Sequence, residues 1–585
     1  MVLSAYFYQI CRKEAFLMID LSNAVFSCFG SHLAVFAMHE GEANANRGKR
    51  VEKNTGRILY DANLQPGFYF RNFIHRRDYE TNLFMLRVPG MEGRCPRYTC
   101  MPEKLTLTDV PVELCYANPG TLLIRTGCAA EIACGCLSGE MAVQSGVFTL
   151  RDTENRYGLR IACVQGSASL TAQGRNMRMQ IAANSLIRVD EAYDGVTGIP
   201  EIDGFDACVS AQRASYEAFL HKLPKPIEGD EQLMQLAAHA MWNAMAFARG
   251  NYRRDCVLVS KNYMCGMWSW DHCFAAMAMV FADPQRAWDQ FMCVFDDQRE
   301  DGRVPDCIEA VKTEWRYVKP PIHGLTLDLL EKQMTLSEAQ RREAYTRLSR
   351  WVKFWTQTRD LSGDGLPQYL HGNDSGWDNN TVFDKPGPIQ SAELPAYLSI
   401  TARKLAQLAE AFEPEAVGYW NAEADRLKAA MLEQLFVNGQ PISRLADTHE
   451  RVAPWSSLPY MSVTLGDELP KEAKQGILRR MEDPNFLTPY GIASEALDSP
   501  EYQLDGYARG SIWSYGQFLP VTGLIRMGET DVAKKIMHGF LACCRKGGFS
   551  ECFCSKDGSG QRDRALNWSV CTYIIFTALL QQMES

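Results

Sequence analysis

The stretch KLPKPIEGDEQLMQLAAHAMWNAM, residues 222–245, marks a change in the pattern of the chain. Its first ten residues contain two prolines and one glycine, a composition typical of a linker. After them, apolar residues recur with the spacing of one helix face, at Leu233, Leu236, Ala237, Ala240, Met241, Ala244 and Met245. The stretch therefore predicts a linker at 222–231 that separates two domains of different secondary structure.

The segment before the linker has the pattern of β-strands. Short apolar or alternating pieces are separated by Gly, Asn and Asp turns. They include SHLAVFAMH (31–39), GTLLIRTG (120–127), GVFTLRD (146–152), GLRIACVQG (158–166) and SLIRVDEA (185–192). Many short strands without helical spacers predict an N-terminal antiparallel β-sandwich domain over residues 1–221.

The segment after the linker has the pattern of helices. Thr335 and Glu338 stand at capping-box spacing before a helical pattern that runs to about 358. Further helical stretches lie near 283–298, 391–412, 415–436, 468–482, 507–527, 529–545 and 567–583. At roughly 30 residues per helix and loop, residues 232–585 hold about twelve helices, which suits an (α/α)6 toroid. A helical solenoid is the alternative, but no fixed-period repeat supports it.

Composition excludes several classes of protein. The 585 residues are 46% hydrophobic and 22% charged, with a net charge of −9, which indicates a soluble globular protein and disfavours nucleic acid or an anionic membrane as partner. The twenty cysteines have no zinc-site spacing, so we predict free thiols and a cytoplasmic location. The charges at 12–14 interrupt the apolar start of the chain, which predicts no signal peptide.

Two polar loops near the start of the helical region are candidates for a functional site. MCGMWSWDHCF, 264–274, places Trp268, Trp270 and Asp271 just before an apolar helix. The structural alternative is an N-cap, in which Asp271 accepts backbone N–H groups. FDDQREDGRVPD, 295–306, contains the turn Asp301-Gly302 and a proline that ends the helical pattern.

Two later loops carry the candidate catalytic acids. In HGNDSGWDNNTVFDKPG, 371–387, Asp378 follows Trp377, and a carboxyl against an aromatic wall is partly desolvated, which favours its protonated form. In GGFSECFCSKDGSG, 547–560, Glu551 lies between two phenylalanines. One carboxyl that donates a proton and another that activates water form the arrangement that cleaves a glycosidic bond. The alternative for each is a structural turn residue.

These motifs together resemble a known family. WSWDHCF, FDDQREDGRVP, NDSGWDNN, YARGSIW and FSECF occur in this order and are similar to the motif set of glycoside hydrolase family 63 and its mannosylglycerate hydrolase-like relatives. The resemblance covers about 230 to 585. It implies a six-hairpin (α/α)6 toroid, which in this family is typically preceded by a β-sandwich.

The resemblance also implies roles for particular residues. Asp378 matches the general acid and Glu551 the general base of an inverting glycosidase that needs no metal or organic cofactor. The positions that match the lining of the sugar pocket are Trp268, Trp270, Asp271, Gln298, Trp377, Arg509, Trp513 and Trp568. For Arg509 the alternative is a structural guanidinium that ties loops together through a carboxylate.

The sequence departs from the family pattern at several positions near these motifs. Asp374 replaces a glutamate, Ala508 and Ser511 replace a tryptophan and a proline, and Cys552 and Phe553 replace two tyrosines. We expect these changes to alter the rim of the sugar pocket. They affect the choice of substrate more than the reaction, because both carboxylates remain.

The leading hypothesis is an exo-acting, inverting glycosidase for small α-linked glucose- or mannose-type substrates. A trehalase-like hydrolase is the near alternative. A phosphorylase would not need Glu551, and a non-catalytic carbohydrate-binding or sensing protein would not need both acids. DLSGDGL, 360–366, resembles the front of a calcium loop but lacks the glutamate at its twelfth position, so a plain turn is the favoured interpretation.

Overall fold

The computed structural model describes residues 18–21, 24–38, 50–51, 58–59, 66–72, 83–135, 137, 139–152, 156–193, 200–262 and 264–584. The charged segment at 12–14 lies outside these residues. The chain divides into two compact units. The first comprises the described residues up to Gly266 with 309–312 and 563–565, and the second comprises 267–308, 313–562 and 566–585. The predicted boundaries at 221 and 232 stay a prediction.

The first unit contains two large antiparallel sheets. One has the strand order β1-β4-β5-β10-β15-β14, and the other has the order β11-β12-β13-β16-β9-β8-β7-β6. The strands are β1 Leu33–Met38, β2 Arg50–Val51, β3 Ile58–Leu59, β4 Gly67–Asn72, β5 Phe84–Arg87, β6 Tyr98–Met101, β7 Lys104–Leu107, β8 Val112–Asn118, β9 Thr121–Thr126, β10 Ala130–Cys134, β11 Glu140–Gln144, β12 Val147–Asp152, β13 Tyr157–Gln165, β14 Ala168–Gln173, β15 Asn176–Ile181 and β16 Ser185–Tyr193. The predicted β-sandwich is confirmed.

Side-chain alternation and aromatic contacts explain why the sheets pack. In β15, Met177, Met179 and Ile181 are buried while the residues between them are exposed, so one face of the strand is apolar. The rings of Phe84 in one sheet and Phe148 in the other have centroids 6.3 Å apart. These inner faces form a core that the alternating sequence pattern predicts.

Among its described residues, the first unit also contains two helices, of which the first lies in the segment predicted as strands and the second in the segment predicted as helical. They are α1 Phe205–Leu220 and α2 Glu231–Ala244, followed by the short pair β17 Met245–Ala246 and β18 Cys256–Val257. Helix α1 packs against β8, and its buried residues include Phe205, Cys208, Tyr216 and Phe219. The expectation of strands up to about residue 220 is therefore wrong for α1, because these apolar residues follow helical rather than alternating spacing.

The second unit is helical. Its α-helices are α3 Asp271–Met279, α4 Pro284–Met292, α5 His323–Glu331, α6 Glu338–Thr358, α7 Gly372–Ser375, α8 Glu393–Phe412, α9 Val417–Gln434, α10 Lys471–Met481, α11 Ser514–Met527, α12 Thr530–Gly547 and α13 Asn567–Glu584. Shorter 3-10 helices span Phe295–Asp297, Thr381–Phe383, Pro414–Ala416 and Leu458–Glu468.

Short strand pairs in the loops connect these helices. They are β19 Met267–Trp268, β20 Cys307–Ile308, β21 Thr313–Glu314, β22 Ile389–Ser391, β23 Phe436–Val437, β24 Gln440–Pro441, β25 Ser443–Leu445, β26 Arg451–Val452, β27 Leu487–Thr488, β28 Gly491–Ile492, β29 Cys552–Phe553 and β30 Gly560–Gln561. Strand β20 pairs with both β19 and β21. This pairing brings the segments at 267–268, 307–308 and 313–314 together.

Six elements of the described chain form a closed inner ring. In order around the ring they are α3, α5, α8, the 3-10 helix at 458–468, α11 and α13. Each contacts the next, and α13 contacts α3 to close the ring. Outer helices back this ring: α4 packs on α3, α6 and α9 pack on α8, and α12 packs on α11 and α13. The mostly α fold with an (α/α)6 toroid is therefore confirmed.

Close backbone approaches in the ring require glycine at two positions. A Cβ atom on Gly523 of α11 would lie 1.9 Å from the carbonyl oxygen of Val463. A Cβ atom on Gly324 of α5 would lie 2.4 Å from the Cα of Thr401 in α8. Neighbouring inner elements can pack at this distance only because glycine has no side chain.

Two details of the helices differ from the predictions. The N-cap of α6 is Ser337, which forms the capping box with Gln340, so the predicted box of Thr335 and Glu338 is wrong by two residues. The predicted helix at 507–527 begins only at Ser514. Residues 507–513 instead form a non-helical loop, with a turn at 508–510, that contributes to the candidate site.

Within the described part of the chain, no helix combines the length and apolar character that crossing a lipid bilayer would require. The cysteines found among the described residues are free thiols. The cytoplasmic location stays a prediction.

Candidate active site

The loop that carries Asp378 is held by a glycine and two asparagines. The carbonyl oxygen of Asp378 passes so close to Gly372 that a Cβ there would lie 2.1 Å from it. Asn379 donates to the carbonyl of Gly506 and accepts from the N–H of Ala508, both at 3.0 Å. Asn380 donates to the carbonyl of Ala508 at 2.7 Å. These contacts fix the Asp378 loop beside the 506–508 loop and leave the Asp378 side chain half-buried.

Glu551 is positioned by a strand pairing and by two aromatic residues. Ile512 and Phe553 exchange two backbone hydrogen bonds of 2.7 and 2.9 Å, which align the 551–553 segment with the loop before α11. The indole of Trp568 donates to the backbone carbonyl of Glu551 at 3.0 Å. The phenol of Tyr507 donates to Oε1 of Glu551 at 3.1 Å. Glu551 is 7% exposed, and the bond from Tyr507 restricts the orientation of its carboxylate.

Tyr507 adopts an unusual backbone conformation. Its φ is +63°, in the left-handed region that residues with a side chain seldom occupy. The indole of Trp513 donates to the carbonyl of Tyr507 at 3.1 Å, and the two rings meet edge-on with centroids 4.5 Å apart. The surrounding contacts thus hold Tyr507 in a strained geometry that directs its hydroxyl to Glu551.

Tyr515 is the centre of an aromatic cluster. The centroid distances from its ring are 4.6 Å to Trp270, 5.3 Å to Trp377, 5.4 Å to Trp513 and 5.5 Å to Trp568. Its hydroxyl donates to the carbonyl of Gly376 at 3.2 Å. The cluster therefore links both carboxylate loops to the first turns of α3, α11 and α13.

A buried lysine and two aspartates lie next to this cluster. Nζ of Lys319 is 3.2 Å from Oδ1 of Asp306 and donates to the carbonyl of Asn373 at 2.6 Å. Burial raises the pKa of Asp306, while Lys319 opposes that shift. Burial raises the pKa of Asp271 to about 7, with Lys319 lowering it and Asp306 and Glu551 raising it. Burial and neighbouring negative charges therefore both raise the pKa values of these two aspartates.

Asp378 and Glu551 affect the same buried tyrosines. Burial raises the pKa of Tyr507 well above its ordinary value, and the charges of Glu551 and Asp378 raise it further. Burial raises the pKa of Tyr515 as well, and Asp378, Asp271 and Glu551 add to that shift. Burial alone would lower the pKa of Lys319, but Asp306, Asp378 and Asp271 raise it. The carboxylates of several distant loops therefore act on the same buried groups.

The structure brings most of the predicted residues together. Trp270, Trp377, Trp513 and Trp568 form the cluster around Tyr515, and Asp271 lies in it as the first residue of α3. The helix N-cap is Trp270, which makes no side-chain cap, so the N-cap interpretation of Asp271 is wrong. Trp268 lies in β19, opposite Cys307, and is 8% exposed.

Gln298 and Arg509 have other partners. The amide of Gln298 donates to the carbonyls of Gly302 and Arg347 at 2.9 and 3.0 Å, which ties this turn to α6. Arg509 forms a bidentate ion pair with Asp384 and lies 3.7 Å from Glu501. These contacts fit the loop-tying alternative for Arg509. A role for either residue in the pocket stays a prediction.

The departures from the family motifs are buried positions, and an effect on the rim of the sugar pocket stays a prediction. Asp374 is 2% exposed, pairs with Arg359 at 2.9 Å and accepts backbone N–H groups. The side chains at the other substituted positions, Ala508, Ser511, Cys552 and Phe553, are fully buried. These side chains therefore pack within the protein beneath the carboxylate loops.

The calcium-like loop is closed by its own hydrogen bonds. Asp360 accepts the N–H groups of Gly363 and Gly365 at 2.8 and 3.0 Å. Asp364 accepts from Gln390 at 2.9 Å and pairs with Arg444 at 3.2 Å. These contacts are typical of a turn, as predicted.

The sequence analysis missed four groups in the site. Tyr507 and Tyr515 lie within a stretch assigned to a helix, and Asp306 was treated as part of a turn. Lys319 is the single charge in the apolar segment VKPPIHGL, 318–325. An isolated lysine in such a segment was the available signal, because a buried lysine needs carboxylates nearby.

The sequence of this chain is similar to those of mannosylglycerate hydrolases. Residues 264–569 match the family model described as mannosylglycerate hydrolase MGH1-like glycoside hydrolase domain. Mannosylglycerate hydrolase MGH1 of Selaginella moellendorffii is 21% identical over 389 residues, which cover 52% of this chain and 78% of the relative. A mannosylglycerate hydrolase of Thermus thermophilus is 21% identical over 390 residues, which cover 53% of this chain and 94% of the relative.

A solved structure shares the fold. The GH63 mannosylglycerate hydrolase from Thermus thermophilus, solved in complex with glucose, superposes with a TM-score of 0.51 at 19% sequence identity. The match covers 58% of this chain and 98% of that structure. At this identity the likeness supports the fold of the helical region.

Proposed function

Because the chain belongs to the family of mannosylglycerate hydrolase MGH1-like glycoside hydrolases, we propose that it cleaves a small α-linked mannoside or glucoside with inversion at the anomeric carbon. It is a glycoside hydrolase. The family does not define the sugar, the stereochemistry or the residues that react. The contacts around Asp378 and Glu551 support the following assignment.

In the proposed reaction Asp378 is the general acid and Glu551 the general base. Asp378 gives its proton to the glycosidic oxygen as the bond to the anomeric carbon breaks. Glu551 removes a proton from a water molecule whose oxygen attacks that carbon from the opposite face. The products are an alcohol and a sugar of inverted anomeric configuration. Each carboxyl returns to its starting state by exchanging one proton with solvent.

The observation that carries this proposal is the environment of Glu551. Its Oε1 accepts the hydroxyl of Tyr507, and the same tyrosine is affected by the charge of Asp378. A base that must activate one water needs a fixed carboxylate. Tyr507 holds the carboxylate itself, and Trp568 holds the backbone carbonyl of Glu551. A sensing protein would have no need of such an arrangement.

The remaining buried groups suit a sugar ring. Carboxylates such as Asp271 and Asp306 accept hydrogen bonds from sugar hydroxyls, and Lys319 compensates part of their charge. Trp268 and Trp568 each keep 8% of their surface exposed, so they can offer an apolar wall to a ring. We propose that these groups bind the sugar that is released.

The relatives suggest a substrate class. Several of them are named mannosylglycerate hydrolases. We therefore propose mannosylglycerate or a similar α-glycoside with a small acidic aglycone as the first substrate to test.

The test compares variants on a panel of α-glycosides. Wild-type protein is incubated with mannosylglycerate, trehalose, and aryl α-mannosides and α-glucosides, with and without phosphate. We expect Asp378→Asn and Glu551→Gln each to lose about 100-fold or more in kcat. Asp557→Asn, an exposed acid in the same hairpin as Glu551, should retain the wild-type rate and serves as the control. Proton NMR of the first product should show the inverted anomer.

Each other outcome rejects a defined part of the proposal. Release of a retained anomer would exclude the single displacement. Strict dependence on phosphate would indicate phosphorolysis. Binding without turnover on every substrate would favour the sensing alternative, and normal rates in folded Asp378→Asn would remove this residue from the reaction.

A further inference from the structure

A cluster of potential metal ligands lies within the inner ring. His272 and Cys273 belong to the first turn of α3, and His323 is the first residue of the neighbouring helix α5. One ligand atom from each residue lies within 4.8 Å of the other two. The three side chains are at most 1% exposed. The catalytic proposal makes no use of any of them.

The histidines have hydrogen-bonding capacity that the described chain leaves unused. Among the residues that the structure describes, neither ring nitrogen of His323 has a hydrogen-bond partner, and Nδ1 of His272 has none of good geometry. Aromatic rings surround His323, with centroids 5.0 Å away for Phe295 and 6.1 Å for Trp351. A buried polar group without a partner needs an explanation, and an ion is one. The unpaired imidazole of His323 beside the imidazole of His272 and the thiol of Cys273 points to a shared ligand.

Two backbone carbonyls accompany the ring of His272. They belong to Trp268, in the strand pair before α3, and to Phe291 in α4, and both interact with the imidazole. Backbone carbonyls commonly orient a histidine ligand by accepting its N–H group.

The distances agree with a common ion. Nε2 of His272 is 3.7 Å from Sγ of Cys273. Two ligands bonded to one Zn²⁺ at about 2.0–2.1 Å for nitrogen and about 2.3 Å for sulfur lie about 3.6–3.8 Å apart at tetrahedral to trigonal angles. The rings of His272 and His323 have centroids 5.1 Å apart, which leaves their nitrogens free to converge. Two imidazoles and one thiolate form a donor set that prefers Zn²⁺ or Cu⁺.

We propose that His272, Cys273 and His323 bind one thiophilic d10 ion, Zn²⁺ or Cu⁺, as a structural site. Binding converts the thiol of Cys273 to a metal-bound thiolate and releases one proton to solvent, while both imidazoles bind in neutral form. The ion joins α3 to α5 and so closes one contact of the inner ring. It has no role in the displacement, and this inference is independent of the catalytic assignment.

The test measures metal content and thermal stability of the full-length protein. Protein from medium with added zinc and copper is passed through metal-free buffer and analysed by mass spectrometry. We expect about one equivalent of one of these metals. After removal of the metal by a chelator, addition of Zn²⁺, or of Cu⁺ under a reductant, should raise Tm, and the ion that gives the larger rise identifies the occupant. Co²⁺ should produce a thiolate-to-metal absorption band.

Matched variants separate this site from other thiols and imidazoles. Cys273→Ala and His323→Gln should bind less than about a tenth of an equivalent and lose the rise in Tm. Cys543→Ala, a buried cysteine of α12, and His239→Gln, a buried histidine of α2, should keep both. If a ligand variant fails to fold, the wild-type Co²⁺ spectrum decides alone. Wild-type protein without stoichiometric metal and without a change in Tm on addition would overturn the proposal, as would undiminished metal in Cys273→Ala.

Discussion

Tyr507 shows how one residue connects backbone strain to chemistry. Its positive φ directs the hydroxyl to Oε1 of Glu551, and the neighbouring Ala508 is tied to Asn379 in the other carboxylate loop. Tyr507 and its neighbour Ala508 therefore contact both loops that carry the candidate acids. This placement makes it a positioning residue for the base.

Removing only the hydroxyl of Tyr507 tests this role. In Tyr507→Phe the ring still packs on Trp513, but Glu551 loses a hydrogen bond. We expect kcat to fall roughly tenfold because a donor to a reacting carboxylate is lost, with little change in KM or Tm. Steady-state kinetics and thermal unfolding provide the measurement.

Tyr502→Phe is the control for this prediction. Its hydroxyl bonds to Ser555 at 2.9 Å and not to Glu551, so we expect normal kcat. An equal loss of kcat in both variants, or a change in KM alone for Tyr507→Phe, would contradict a positioning role.

The residue scale also shows the limits of sequence reasoning about the site. Asp378 and Glu551 stood out because they lie in polar, glycine-containing loops beside aromatic residues. Tyr515 lies in a helix whose first eleven residues are buried, and it carried no such signal. Its role at the centre of the cluster depends on neighbours that are distant in sequence.

At the scale of elements, α6 illustrates how a helix begins. The capping box of Ser337 and Gln340 consists of bonds of 3.3 and 2.9 Å to the backbone. Two residues earlier, Thr335 offers the same residue type and spacing to Glu338, which led the prediction to the wrong start. The packing of the helix determines where its first turn begins, and therefore which side chain accepts the free N–H groups.

Paired substitutions distinguish the two possible caps. Ser337→Ala should lower the free energy of unfolding by about 1 kcal/mol, because a backbone N–H loses its acceptor. Thr335→Ala should change it by less than about 0.5 kcal/mol. Chemical denaturation of both variants measures the difference, and a larger loss in Thr335→Ala would restore the sequence-based start.

The outer helices were easier to predict than the inner ones. Helices such as α6, α9 and α12 have an apolar and a polar face, and the period of this pattern is visible in sequence. Helix α5 and the 3-10 helix at 458–468 were not predicted. Their residues are mostly buried on every side, so no polar face marks a helical period.

At the scale of the whole molecule, the closed ring depends on close contact between inner elements. Gly523 lets α11 approach the 3-10 helix at 458–468, and Gly324 lets α5 approach α8. The candidate carboxylates lie in loops of this same ring. Loss of a close approach would therefore disturb both stability and the geometry of the site.

Glycine substitutions test the packing of the ring. Gly523→Ala should lower the free energy of unfolding by about 1–3 kcal/mol, because the new Cβ would overlap the backbone of Val463. Gly418→Ala in the outer helix α9 meets open space and should raise the same quantity by about 0.5–1 kcal/mol. Denaturant titration compares them, and equal effects would show that ring closure does not depend on this approach.

The sequence by itself determined the two-part architecture, the outer helices, the inner helices α8 and α13, and the two carboxylate loops. These features follow from local patterns: strand alternation, helical amphipathicity, and polar residues next to glycine and tryptophan. Family motifs added the expectation of a glycosidase, which the comparisons support.

The tertiary structure alone decided the order of the inner ring and the conformation of Tyr507. It also brought Lys319 to Asp306 and Asp271, and placed His323 beside His272 and Cys273. Each of these depends on contacts between segments far apart in the chain. Local propensity cannot encode such contacts, because they arise only when fully buried helices close into a ring and bring their first turns together.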